Sequence, residues 1–178
     1  MNFRLLVFIP LAAIQLLVPG WMIHREEQTL RHGRVFKLKT MPVDPYDAFR
    51  GRYVALRFEA ESNPVQSMSG VGTKSVWVRL ETDSNSFASV KEVSATPLAG
   101  DDVIAAKYTY GRLEFPFNAY YMDEDKAPAA EAAYRANSSR AHENAYATVR
   151  VLNGHAALEE LYIDDKPIRE FLRSEGGK

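Results

Sequence analysis

The chain opens on an uncharged stretch. Leu5 to Ile23 reads LLVFIPLAAIQLLVPGWMI, with Gln15 its one strongly polar side chain. As a helix rising about 1.5 Å per residue it spans roughly 28 Å, close to the hydrocarbon thickness of a bilayer. Trp21, near its end, suits the headgroup level. Pro10 and Pro19 each remove a backbone donor, which a spanning helix tolerates near its ends. Three readings fit the run. Its length and flanks favour an uncleaved signal anchor. A cleaved signal peptide would use Val18 and Gly20 as small residues before a cut ahead of Trp21, but the run is long for that role. A buried core helix is the third. His24 to His32 has helix-forming character and stops at Gly33, a good terminating residue, so the anchor helix is expected to run on into water.

Beyond Gly33 the period changes to two. Val35, Phe36, Leu38 and Met41 suggest a first strand, and Tyr53 to Glu59 a second, with Val54, Leu56 and Phe58 on one face. Asp44-Pro45 signals a short helical turn over Tyr46 to Phe49, broken by Arg50-Gly51. Ser62 to Lys74 is rich in Ser, Gly, Pro and Asn and reads as a loop. Val76–Leu80, Phe87–Ala95, Val103–Tyr110 and Arg112–Phe117 are further strand segments. Pro128 and a run of Ala and Glu predict a helix from Asp125 to Ala136. Ala145–Leu152 and Ala156–Ile163 flank Asn153-Gly154, a strong hairpin signal. Asp164 to Pro167 makes another turn before Ile168–Leu172. The expected fold is α+β or mainly β: an antiparallel sheet domain with one or two helices, preceded by an N-terminal transmembrane helix. The expected division is 1–33, anchor and helical extension, and 34–178, a β-rich water-soluble domain.

Charge and composition narrow the function. Lys and Arg number 22 against 23 Asp and Glu, a balance that argues against a nucleic-acid partner. Cysteine is absent, which excludes disulfides, thiolate catalysis and Cys-ligated metal. His24, His32, His142 and His155 fall in no HxxxH or HExxH spacing, and no P-loop or G-x-S-x-G pattern occurs. Neither metal nor cofactor is expected. Arg25, Arg31, Arg34, Lys37 and Lys39 follow the apolar run, while only Arg4 and the amino terminus precede it. A count of positive charge would put the C-terminal side inside, yet that rule weakens for long domains, and orientation stays open.

Gly51-Arg52-Tyr53-Val54-Ala55-Leu56-Arg57-Phe58 resembles the motif of the GDYXXLXY family, bacterial membrane-anchored proteins of unknown function. Gly51, Tyr53 and Leu56 match. Arg52 stands where the motif has Asp, and Phe58 where it has its final Tyr. The lead-in Val43 to Arg50, the block Phe115 to Glu124 and the closing region Val149 to Ile168 are also similar to the family, so the resemblance runs from about Phe36 to Ile168. It implies an N-terminal anchor in the inner (cytoplasmic) membrane. It further implies a domain on the periplasmic or extracytoplasmic side and association with multi-spanning membrane proteins. It implies no catalytic residues.

Two groups are candidates for binding a ligand or partner. Asp44, Asp47, Arg50 and Tyr53 combine a helix cap, two opposite charges three residues apart and an aromatic after a glycine. Asn118, Tyr120, Tyr121 and Glu124 place adjacent tyrosines beside acids, and tyrosine offers contact area with a hydrogen-bonding tip. The bland alternatives are a local ion pair in the first group and an acid-rich helix start in the second. The favoured function is a non-enzymatic accessory module, with the Tyr53 and Tyr120-Tyr121 regions forming one exposed aromatic patch. The alternative is an enzyme or small-ligand binder with a pocket around Asp47, Arg50, Tyr53 and Glu124. Thr40-Met41-Pro42 also faintly resembles the order used by signal peptidases, with Thr40 in the nucleophile's place and Lys74 or Lys91 as base.

Overall fold

The computed structural model describes residues 3–41, 53–62, 72–138 and 144–175, and in the first helix the side chains of Phe8 and of Pro10 onward. Helix α1, Phe3–His32, runs without a break through Pro10 and Pro19. Its described large apolar side chains, Phe8 and those from Leu11 to Ile23, are exposed. Among the described residues, no helix is long and apolar enough to cross a membrane. Burial begins at Thr29, which is 1% exposed and donates its hydroxyl to the Arg25 carbonyl at 3.0 Å.

At Gly33 the chain turns into β1, Arg34–Met41, which pairs antiparallel with β9, Ala145–Leu152. A Cβ on Gly33 would lie 2.5 Å from the Thr29 carbonyl oxygen and 3.0 Å from both Arg150 Cβ and Val151 N. The glycine therefore lets the helix end lie directly against β9, a close approach that any side chain would block.

One sheet has the order β11-β10-β9-β1-β3, with β3 at Arg57–Phe58, β10 at His155–Ile163 and β11 at Lys166–Pro167. A second has the order β5-β4-β6-β7, formed by β4 (Thr73–Thr82), β5 (Ala88–Ser94), β6 (Val103–Thr109) and β7 (Arg112–Glu114). Every strand pair is antiparallel. Two isolated parallel bridges, Lys37 with Phe87 and Ile104 with Gly154, stitch the two sheets at their margins. The inward positions of both feed one core: Phe36 and Leu38, Val149 and Val151, Leu161 and Ile163 meet Val76, Val78, Leu80 and Ile104. The expected antiparallel α+β architecture is the one observed. Helices α2, Ala127–Asn137, and α3, Ile168–Glu175, complete it, burying Ala130, Tyr134 and Ile168.

The turns follow their residues. Asn153 (φ 49°) and Gly154 (φ 81°) are both left-handed, the conformation a two-residue hairpin needs to match strand twist. Asp164 (φ 50°) and Asp165 (φ 60°) make the β10–β11 turn in the same way. One expectation needs correction. Tyr53 to Glu59 is not a single strand. It divides into β2, Tyr53–Ala55, in a ribbon with β8, Ala119–Tyr121, and β3 on the larger sheet, and Glu59–Glu61 turns as a short 3-10 helix. Leu56 sits between the two strands and donates its N–H to the Asn118 carbonyl at 2.8 Å. The helical turn expected over Tyr46 to Phe49 lies outside the described residues.

Candidate functional site

The β2–β8 ribbon gathers most of the described candidates. Its register sets Tyr53 opposite Tyr121 and Val54 opposite Tyr120. Directly opposed residues share a face, so the ribbon sorts its tyrosines. Val54 and Tyr120 point into the core, with Val54 fully buried. Tyr53 and Tyr121 point out, their ring centroids 5.6 Å apart and tilted by 55°. Tyr121 is 71% exposed and Tyr53 half-buried. The exposed aromatic feature is thus the pair Tyr53–Tyr121, and Tyr120 is no part of it.

Tyr120 serves the interior. Its hydroxyl donates to Glu160 Oε1 at 2.5 Å, and the same oxygen accepts the Leu161 N–H at 3.0 Å. Burial and then the neighbouring carboxylate push its phenol well above the usual range, with Arg169 pulling the other way. Glu160 reaches this place through a bulge, where the β10 register slips between Leu158 and Glu160. The doubled charge Glu159-Glu160, which interrupts alternation between Leu158 and Leu161, is the sequence signal for that bulge.

The other candidates sit apart. Asn118 is exposed, and its carbonyl is engaged by Leu56. Glu124 is exposed in the turn before α2. Beside it, Lys126 lies 2.8 Å from Asp123 and holds that carboxyl below its ordinary range. Asp44, Asp47 and Arg50 lie outside the described residues. The described part of the motif reads as a folding signature. Leu56 and Phe58 are buried, and Phe58 packs on Phe117 and Phe115 with centroids 5.4 and 6.0 Å away. A ring there is needed for packing, so Phe serves where the family motif has Tyr. Thr40 is likewise structural. Its buried hydroxyl donates to the Ala145 carbonyl at 2.8 Å, while the exposed Lys91 pairs with Glu81 at 3.6 Å.

Two features escaped the sequence. Glu61 accepts the N–H of Phe58 at 3.0 Å and of Phe115 at 2.7 Å, one on each carboxylate oxygen, and burial raises its pKa. Tyr146 stacks on Tyr162 with centroids 4.9 Å apart and meets Phe87 edge-on, while Lys37 lies 5.3 Å over its ring. Burial, with help from Asp165 at 3.0 Å, pushes the Tyr146 phenol up to about 12. Among the described residues, no cluster of His, Asp or Glu is arranged to hold a metal ion.

No curated relative and no solved structure matches the chain. The family model of the GDYXXLXY protein matches residues 15–161, well over half of the sequence. That span takes in the latter part of the N-terminal apolar run, the motif strands, the Phe115–Glu124 block and the hairpin, and the chain belongs to the GDYXXLXY family.

Proposed function

We propose that the chain is a membrane-tethered binding module. In this reading α1 anchors it in the cytoplasmic membrane, and its β-rich domain stands on the extracytoplasmic side. The Tyr53–Tyr121 pair then offers a docking point to a multi-spanning membrane protein. The observation that carries the reading is the exposure of α1. Leu11, Ile14, Leu16, Leu17, Val18 and Met22 occupy every side of the helix, and none is covered by the domain. A helix apolar all round belongs in a core or in lipid. The described apolar side chains begin at Phe8, short of the roughly 20 residues a bilayer requires. Leu5, Leu6, Val7 and Ile9 extend the run in the sequence to Leu5–Ile23. A tyrosine pair with one ring exposed, on a hydrogen-bonded ribbon, is a contact surface of the kind that anchors protein interfaces.

The test has two parts. Full-length protein in native membranes should resist alkaline carbonate extraction with its intact mass unchanged. Recovery in the soluble wash, or a mass lacking the first twenty residues, would sink the anchor. Detergent-solubilised affinity purification should then recover a multi-spanning protein in stoichiometric amount. Tyr121→Ala should lose that protein while still unfolding cooperatively, with a stability loss of at most about 1 kcal/mol; unchanged recovery with Tyr121→Ala would move the docking point elsewhere.

A further inference from the structure

Two contacts fix how the domain lies along α1. At the helix end, Gly33 abuts Arg150 and Val151 of β9. Seven residues earlier, Glu26 Oε2 meets His155 Nε2 at 2.8 Å. Along the helix axis, Glu26 is about 10 Å nearer the apolar end than Gly33. Along the hairpin, Val151 precedes the turn and His155 follows it. The β9–β10 hairpin therefore climbs α1 toward its apolar end, with Asn153-Gly154 leading. Glu26 comes only three residues after Ile23, the end of the apolar run, a rise of about 5 Å. A headgroup layer is about 5–7 Å deep on each side of the hydrocarbon.

We infer that the Asn153-Gly154 turn rests among the phospholipid headgroups of the membrane that α1 enters. The inference builds on the anchor reading and adds a second, peripheral contact to it. The exposed Asn153 leads that contact, and Trp77 supports it. A Cβ on Gly154 would meet Trp77 Cζ3 at 2.5 Å and Cη2 at 3.2 Å, so the outer edge of the indole's six-membered ring abuts the turn. On the helix, Arg25 lies 5.6 Å over the Trp21 ring. Trp21 lies about 7.5 Å up the helix from Glu26 and Trp77 lies against the turn, so in this reading one indole on the helix and one on the sheet border the headgroup level. Indoles favour that level because one edge is apolar and the other carries a donor.

The chain has two tryptophans, which makes the test direct. Full-length protein is reconstituted in vesicles of equal parts phosphatidylcholine and phosphatidylglycerol. One preparation carries a nitroxide on the headgroup and another carries it at the end of the acyl chain. In Trp21→Phe the emission comes from Trp77 alone, and the wild type minus this variant gives Trp21. Trp21 is exposed, so its replacement leaves the domain intact, as circular dichroism will verify. Trp77 emission is expected to lose intensity with the headgroup nitroxide and to keep it with the deep one. If the Trp21 contribution is quenched while Trp77 keeps its full intensity with both labels, the anchor stands and the headgroup contact is overturned. If neither indole is quenched by either label, the anchor reading falls and the headgroup contact falls with it.

Discussion

Replacing Gly154 with alanine loads the β9–β10 turn in two separable ways. The first is conformational. Gly154 sits at φ 81°, where an L side chain costs about 1–2 kcal/mol. The second is steric. The new Cβ would meet Trp77 Cζ3 at 2.5 Å and Cη2 at 3.2 Å, and overpacking of this kind costs about 1–3 kcal/mol. The sum is about 2–5 kcal/mol. Gly111 supplies the control, because it has φ 88° and open space where its Cβ would go. Gly111→Ala should cost the conformational part alone, about 1–2 kcal/mol. Urea unfolding of the full-length protein in mild detergent, followed by circular dichroism, reads both as shifts in midpoint at constant slope. Trp77→Leu added to Gly154→Ala should restore part of the loss, since the two residues touch and their effects do not add. Equal losses for Gly154→Ala and Gly111→Ala would refute the contact between turn and indole.

Two further outcomes follow from the tyrosines. Tyr120→Phe removes a hydrogen bond to a carboxylate and should destabilise by about 1–3 kcal/mol in the same urea assay. Tyr121→Ala, on the exposed face of the same ribbon, should cost about 0.5–1 kcal/mol; a larger loss for Tyr121 would mean the faces are assigned backwards. Tyr134, whose hydroxyl donates to the Met41 carbonyl at 2.8 Å, and Tyr146 both have phenols pushed up to about 12 by burial. Both folded values exceed the ordinary 10.0. Their contribution is therefore intact below about pH 10 and lost as pH rises through about 12. Absorbance titration should show their phenolates only near pH 12 or together with alkaline unfolding. Tyr134→Phe and Tyr146→Phe should leave the lower part of the curve unchanged, and an effect below pH 10 would contradict the assignment.

Local chemistry made part of this fold legible and hid the rest. Asn153-Gly154 was readable because few dipeptides accept two consecutive left-handed residues. The alternation in β1 and β4 was readable because one face of each is buried. The division of Tyr53–Phe58 between two sheets was not. Val54, Leu56 and Phe58 stay inward on both sides of the break, so the period carries no mark of it. Which sheet a short strand joins depends on partners far away in sequence. The same holds for the tyrosines. Composition drew notice to Tyr120-Tyr121, but only the register with Val54 decides which of the two faces solvent. Glu61 and Glu160 look in the sequence like any surface acid. Their roles arise from backbone N–H groups and a phenol that folding brings to them.

The absence of any break between the apolar stretch of α1 and its seat on β9 has a mechanical consequence. A flexible tether would let the domain sweep a hemisphere, so that partners were found by local concentration. A stiff stem does the opposite. It fixes the domain's height and compass bearing relative to the helix, and any tilt of the stem is copied outward. Gly33 lies ten residues beyond Ile23, about 15 Å along the axis, so a tilt of about 20° would carry the seat sideways by about 5 Å. With α1 in a bilayer, the domain works as a pointer, and its partner must stand where the pointer aims.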